Sequence, residues 1–500
     1  MNRHHILLLA ALVAGFGAAC SLVLGASDYR IGSTDGGGGG GQDGGADCNN
    51  PIGNGGKGCY ACEPTSKAQI LNSCTGNACE PFDNARVALE GGKLRPLPTA
   101  PANDAGVTPT ADAGADPPCS AQPNVVYATG SSAVIPFLSR IAATLAGSNP
   151  ATTVVYQSAN SCAGVDAVLD PTTAPMRGTA IRWDPAAPDP SQPSAQIKCS
   201  LDAAGTPADL GFSDVFAETC RSLPQGLPTD IRDRFGPVQT MVFVTPRTAV
   251  EKSLSGEAAY SIFGFGADSR VEPWTDPNLM FQRTAASGTQ AMIAAVIGVP
   301  PDRWFGKLNA SSTDVRNALL AADSDSATAK RAIGILAADL ADQSRDRLRV
   351  LAYQDFGQSC GFFPDSSPTA LDKANVRDGR YAIWGPLHIL LRVNGQGLPI
   401  KPLAQNIADY IGGSRPLERT DLFTLYAKSS VVPQCAMHVT RTGDGGDTKR
   451  AAPAVSCNCY FDLQATGATS CKKCDSSTEC PAEAPKCNKF GVPAVGYCEP

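Results

Sequence analysis

The chain has 500 residues, 43% of them apolar and 18% charged, with a net charge of −6. That length exceeds one ordinary core and implies two or three domains, while the acidic balance offers no basic field for a nucleic acid. Four histidines, two of them among the first five residues, leave little material for a histidine-based active site.

The N-terminus reads as an export signal. Arg3, His4 and His5 precede an apolar run, "ILLLAALVAGFGAA", too short to span a bilayer comfortably. "GAAC" resembles a lipoprotein processing site, which would leave Cys20 acylated and anchored to a membrane. Gly17 stands where Leu is usual, and ordinary signal cleavage is the alternative. The expected layout is a signal over 1–20, a Gly-rich tether over 21–47, a cysteine-rich segment over 48–93 and a Pro/Ala-rich linker over 94–120. An ordinary globular block follows over 121–432, then a cysteine-rich module over 433–500. Without Cys20 the 19 cysteines leave an even number, the mark of disulfides in an exported chain. They fall into an N-terminal six (Cys48, Cys59, Cys62, Cys74, Cys79, Cys119), a central four (Cys162, Cys199, Cys220, Cys360) and a C-terminal eight. Each set is even, so pairing within each set is the expectation.

In the central block, "NVVYATGSS" is a β-branched strand ending in Gly-Ser-Ser, followed by a helix that buries Val134, Phe137, Leu138, Ile141 and Leu145 at three-and-four spacing. "TTVVYQSANSCAGVDAVL" repeats strand, small polar turn and helix, and "ADLGFSDVF" is a short strand ending at Ser213 and Asp214. "VQTMVFVT" is a fully apolar strand. "SLSGEAAYSIFG" is a helix capped by Ser255 with Glu257 in its first turn. "LMFQRTAASGTQAMIAAVIG", the strand "AIGIL", "LRVLAY" and "RYAIWGPLHILLRV" complete the block. Strands alternating with helices predict α/β lobes with parallel sheet, and ligands gather at the carboxyl ends of such strands.

The order of "VVYATGSSAVIPF", "VVYQSANSCAGV", "ADLGFSDVF", "VQTMVFVT", "LSGEAAYSIFG" and "FQRTAASGTQAMI" resembles the phosphate-binding subunit of bacterial phosphate ABC importers, over residues 124–430. The resemblance implies a type II periplasmic-binding-protein fold: two α/β lobes, joined by two crossovers, closing on a dehydrated phosphate. Those crossovers are implied near 244–250 and 384–392. It further implies an extracytoplasmic protein that binds inorganic phosphate or a similar oxyanion and works with an ABC importer complex in the membrane, with no cofactor, metal or catalysis.

A buried oxyanion must have every oxygen satisfied. Ser131 and Ser132 follow the first strand, and the amides of Ser132 and Ala133 open the first helix; a plain serine N-cap is the competing reading. Ser161 begins the second helix, where Cys162 and Ala163 replace the small Gly or Ser common in the family. Ser158 is a weaker candidate. Arg283, Ser287, Gly288 and Thr289 match the family's R-x-x-x-S-G-T segment, in which a guanidinium fork and a helix start approach the anion together. An ordinary N-cap by Ser287 or Thr289 is the bland alternative. Asp214 would accept the proton that phosphate carries and sulfate lacks; a turn residue or N-cap is the competing reading. The second Asp often found two residues after the arginine is here Ala285.

Three rivals remain. A hydrolase would take Ser287 or Ser132 as nucleophile and His388 as base, but no G-x-S-x-G elbow is present and His388 lies in an apolar strand. The Cys59-x-x-Cys62 and Cys471-x-x-Cys474 pairs fit zinc or redox chemistry less well than structural disulfides in an exported chain. The cysteine-rich flanks, unnecessary for solute capture, suit a surface binding, adhesion or sensing protein built on the same fold.

Overall fold

A computed structural model describes residues 59–60, 62–98, 116–417 and 420–500. The export signal, Cys20, the Gly-rich tether, Cys48 and most of the Pro/Ala-rich linker lie outside the described residues.

A short helix α1 (Lys67–Leu71) and strand β1 (Cys79–Glu80) come first. The first lobe runs through β2 (Val126–Gly130), α2 (Ile135–Ala146), β3 (Val154–Ser158), α3 (Ser161–Leu169), the antiparallel pair β4 (Thr179–Trp183) and β5 (Gln196–Ser200), β6 (Leu210–Ser213) and a single turn α4 (Ala217–Cys220). Strand β7 (Ile231–Pro246) leads into the second lobe. There β8 (Ser253–Ser255), α5 (Gly256–Phe265), β9 (Met280–Gln282), α6 (Gly288–Ile297), β10 (Lys307–Leu308), α7 (Ser312–Ala322) and α8 (Ser326–Arg331) follow. The lobe continues with β11 (Ile333–Ala337), α9 (Ala338–Asp342), β12 (Leu348–Val350), β13 (Ala352–Gln354), β14 (Gly361–Phe362) and α10 (Ala374–Arg377). Strand β15 (Trp384–Arg392) returns to the first lobe, which α11 (Pro402–Ile411) and α12 (Leu422–Lys428) complete. The C-terminal module holds β16 (Val439–Thr440), β17 (Lys449–Arg450), α13 (Asn458–Thr466) and a small sheet of β18 (Lys473–Cys474), β19 (Lys486–Phe490) and β20 (Val495–Glu499).

Local signals place α2 and α5 where expected. Phe137, Leu138, Ile141 and Leu145 form the buried face of α2. Ser255 caps α5 by accepting from Ala258 N, and a Ser311–Asp314 capping box opens α7.

The two lobes share one strand order. In the first, β3, β2 and β6 are parallel neighbours and β15 runs antiparallel beside β6. In the second, β10, β9 and β11 are parallel neighbours and β7 runs antiparallel beside β11. Each lobe therefore borrows a crossing strand. This is the two-lobed, doubly crossed α/β architecture of type II periplasmic-binding proteins. With 16 residues, β7 spans roughly 50 Å at the usual rise, enough to serve both lobes. Its first part, up to Thr240, pairs with β15, and from Met241 to Val244 it pairs with β11. The first crossover thus falls at residues 240–241, earlier than the implied 244–250; the second, β15, lies where it was implied. The early half of β7, "IRDRFGP", is charged and partly exposed, so it carries no buried-strand signature.

The expected pairing of cysteines within three closed sets is corrected. Cys79 bonds Cys360 and Cys119 bonds Cys199, each joining the N-terminal six to the central four. Cys59–Cys74, Cys162–Cys220 and the four C-terminal bridges stay within their sets. Cys62 is disulfide-bonded too. The physical reason is size: a segment this short cannot bury a core of its own. Instead Ile70, Leu71, Phe82, Val87 and Leu94 enter the core of the second lobe, and β1 pairs with β14.

Non-reduced peptide mapping of exported protein should recover Cys79 joined to Cys360 and Cys119 to Cys199. Cys360→Ser should lower stability by about 2–4 kcal/mol, the usual worth of a native bridge, read as a shifted denaturant midpoint.

Candidate functional site

The parallel strands of each lobe end at the cleft, where their carbonyl ends give way to helix N-termini. From the first lobe, β2 delivers Ser131, the start of α3 delivers Ser161 and β6 delivers Asp214. The three meet. Ser131 Oγ donates to Asp214 Oδ2 at 2.5 Å and Ser161 Oγ donates to the same oxygen at 3.2 Å, while Asp214 N donates back to Ser161 Oγ at 3.2 Å. Ser131 Oγ also accepts the Ala133 amide at 3.1 Å, so that amide is already capped. Ser132 and Ala133 are half-buried, and Ser158 is exposed at the strand end.

From the second lobe, β9 delivers Arg283 and α6 starts with Gly288 and Thr289 behind Ser287 at the N-cap. The Ser287 side chain makes no capping bond, so the plain N-cap reading fails for Ser287. Gly288 is pressed against the first lobe: a Cβ there would overlap Ser161 Oγ and lie 2.6 Å from Asp214 Oδ2. The Cys162 amide reaches Ala286 O across the cleft at 3.4 Å. The lobes are closed on one another, and Ser131, Ser161, Asp214, Arg283, Ser287 and Thr289 are each at most 3% exposed. Arg283 is oriented by Ser312 Oγ on one arm and by Ala310 O at 3.1 Å on the other, with its own amide held by Gln290 Oε1 at 2.8 Å.

Electrostatics follow from this dryness. Burial pushes the Asp214 carboxyl up to about 6, against the pull of the Ser131 and Ser161 hydroxyls and the Arg283 and His388 charges. Burial also lowers Arg283 to about 10, with Asp214 and Asp314 pulling it back up, so the guanidinium stays cationic at neutral pH. Among the described residues, Asp214 Oδ1 and Arg283 Nε have no hydrogen-bond partner. A buried anion acceptor and a buried cation with spare capacity face one cleft.

Sequence reasoning missed several neighbours. Asp339, on α9 directly after β11, is buried, and burial with the Asp342 and Asp214 charges pushes it up to about 7. Its place, at a helix start after a parallel strand, is the signal that marked Asp214 and could have found it. Gln239 sits opposite Gly385 on the crossing strands, buried, with neither amide atom partnered among the described residues. His388 is buried between the Phe216 and Phe235 rings, and its Nδ1 meets Asp233 Oδ2 at 2.6 Å. No hydrogen bond joins it to Ser132 or Ser287 among the described residues. Cys59 and Cys471 pair with Cys74 and Cys459, outside their C-x-x-C motifs.

No protein-family model matches the sequence, and no curated protein matches it. Among solved structures, the chain is similar to a Clostridium perfringens protein described as a phosphate ABC transporter substrate-binding protein with bound phosphate. That likeness has 12% identity and a TM-score of 0.41, over 62% of this chain and 99% of the other. An ABC-type phosphate transport receptor from Vibrio cholerae is similar at 12% identity and a TM-score of 0.39, over 62% and 99% of the two chains. PstS from Borrelia burgdorferi is similar at 13% identity and a TM-score of 0.35, over 62% and 98%.

The buried carboxyls set the pH response. Asp214 at about 6, Asp339 at about 7 and Glu257, which burial pushes up to about 7, hold protons in the fold that the unfolded chain has released. Stability therefore falls as pH rises through roughly 4 to 7. Asp378 behaves oppositely: burial alone would raise it, but His438 and Arg380 hold it at about 2, so its contribution is lost as acid approaches that value. Thermal melts should give a higher midpoint near pH ~5 than near pH ~8, with a fall again below pH ~4. Asp339→Asn should flatten the upper limb.

Proposed function

We propose that the protein is an extracytoplasmic solute-binding protein that takes inorganic phosphate, or a closely similar oxyanion, between its two lobes. The observation that carries this reading is the convergence of Ser131, Ser161 and Asp214 from one lobe on the uncapped start of α6 from the other, beside the buried Arg283. Helix amides and a guanidinium supply directed donors to an anion's oxygens. Ser132, Ser287, Gly288 and Thr289 complete the ligand shell in this reading. Its supports are that geometry and the ordered motifs of the sequence.

Asp214 gives the site its selectivity. Each hydroxyl has one proton to give, and in the closed lobes Ser131 and Ser161 spend theirs on Asp214. A ligand that brings its own proton to Asp214 frees both hydroxyls for its other oxygens. Phosphate does this at neutral pH and sulfate does not. With Ala285 in place of a second carboxylate on the arginine segment, Asp214 carries this discrimination alone.

The disulfides fit an oxidising compartment, and Cys20 is the proposed lipid attachment to the cell envelope. The proposed task is uptake through an ABC importer. Retention for surface binding or sensing is the second reading, favoured by the C-terminal module, which touches both lobes.

Calorimetry of the exported protein with phosphate, sulfate, arsenate and molybdate tests the proposal. Arg283→Ala should weaken phosphate binding by about 1.5–3 kcal/mol, the scale of a charged hydrogen bond; unchanged affinity would place the site elsewhere. For wild type the phosphate-to-sulfate preference should shrink as pH drops below about 6, where Asp214 gains a proton to donate. Asp214→Asn should bind sulfate better and show a flat ratio across that range. The same pH-dependent ratio in both proteins would reduce Asp214 to a turn residue.

A further inference from the structure

The loop between β16 and β17 enters the base of the cleft and touches both lobes. On the first-lobe side, Asp444 Oδ2 accepts from Phe216 N at 2.8 Å and from Thr219 Oγ1 at 2.6 Å. Phe216 is the N-cap residue of α4 and Thr219 lies within it, in the turn that follows Asp214. A disulfide from Cys220, the last residue of α4, to Cys162 ties that turn to α3 beside Ser161. On the second-lobe side, Gly445 lies flat on α6, the helix whose first residues are Gly288 and Thr289. A Cβ at Gly445 would sit 2.5 Å from Ala295 O, and its φ is +66°, so no other residue approaches α6 this closely without strain.

The loop is rooted at the crossing strand. Arg441 is buried, its guanidinium lies 3.9 Å from the Trp384 ring centre, and it donates to Trp384 O at 2.9 Å and Ala382 O at 3.1 Å. A second brace lies nearby on α13. Tyr460 OH donates to Asp421 at 2.9 Å and its ring packs on Phe423 of α12, in the first lobe. Arg377 of α10, in the second lobe, reaches Ala436 O at 3.0 Å, Asn458 Oδ1 at 2.8 Å and Asp462. Separating the lobes strains both braces at once.

We propose that the C-terminal segment clasps the two lobes in their closed arrangement, with Asp444 as the positioning residue that couples the Asp214 turn to the second lobe. The clasp makes the protein retain a captured anion rather than exchange it quickly, which suits sensing or scavenging more than rapid hand-over to a transporter. It rests on the anion-site reading for its consequence, though the clasp itself is measurable without any ligand.

The test compares wild type, Asp444→Ala and Asp444→Asn as full exported chains, by small-angle X-ray scattering with and without inorganic phosphate and by stopped-flow phosphate release. The radius of gyration of wild type should not change on adding phosphate, whereas Asp444→Ala should be larger without phosphate and contract with it. Phosphate should leave Asp444→Ala at least about tenfold faster, the effect of losing one charged hydrogen bond. Asp444→Asn keeps an acceptor for Phe216 N and should stay close to wild type. Thr219→Val, which removes one donor at an exposed position, provides an intermediate release rate should Asp444→Ala fail to fold. A wild type that itself expands when phosphate is withdrawn, or a release rate unmoved by Asp444→Ala and Thr219→Val, overturns the clasp. Calorimetry showing no phosphate binding would instead sink the ligand, while the ligand-free radii of wild type and Asp444→Ala still decide the clasp.

Discussion

Taking the Asp214 carboxylate out of water is the constraint on which the cleft is organised. An isolated buried carboxylate is costly enough to stay protonated in most settings. Here the Ser131 and Ser161 hydroxyls and the charges of Arg283 and His388 offset part of that cost, leaving the carboxyl at about 6. Each offset demands a piece of architecture. Ser131 and Ser161 must follow the ends of adjacent parallel strands, and Arg283 must come from the opposite lobe. Gly288 must lack a side chain for the lobes to close at all. The shared strand order of the two lobes supplies these positions, because each brings the carboxyl ends of its strands to the same cleft.

Both flanks are best understood as parts of the lobes rather than as attachments to them. Too small to bury cores of their own, they bury side chains in someone else's. Phe82 and Val87 of the N-terminal segment and Cys457 and Phe461 of the C-terminal module all enter the second-lobe core. The Cys79–Cys360 disulfide makes the N-terminal union permanent in an oxidising compartment, whereas the four C-terminal bridges stay within their own module. The C-terminal module differs in that it also holds the first lobe, through Phe423 and Asp421 of α12 and its cap and through the Asp444 contacts with α4. An element bonded to both lobes resists their separation, which is how the proposed clasp would act on the cleft without lining it.

Much of the fold was legible from local pattern. The helix α2 declared itself by its three-and-four spacing, α5 by its Ser255 cap, and β2, β3 and β6 by short β-branched or apolar runs ending in small polar residues. These signals are local because capping and amphipathic burial depend on neighbours a turn away. The early half of β7 escaped notice because its Arg and Asp residues face partial solvent on a strand shared between lobes. That is a property of its partners and not of its composition.

The sequence by itself determined the α/β class with parallel sheet, and through its ordered motifs' resemblance to phosphate-binding subunits it implied the cleft between two lobes and the meeting there of Ser131, Ser161, Asp214 and Gly288. Those follow from patterns within a dozen residues and from the order of several such patterns along the chain. Only the tertiary structure decided where the chain crosses between lobes, which cysteines meet, that Asp339 lies near enough to Asp214 for their charges to interact, and that Asp444 reaches the turn after Asp214 from over two hundred residues beyond it. Each of these is a contact between segments far apart in sequence. Nothing local in either partner encodes such a contact, because the chain satisfies it only after both lobes have formed and closed.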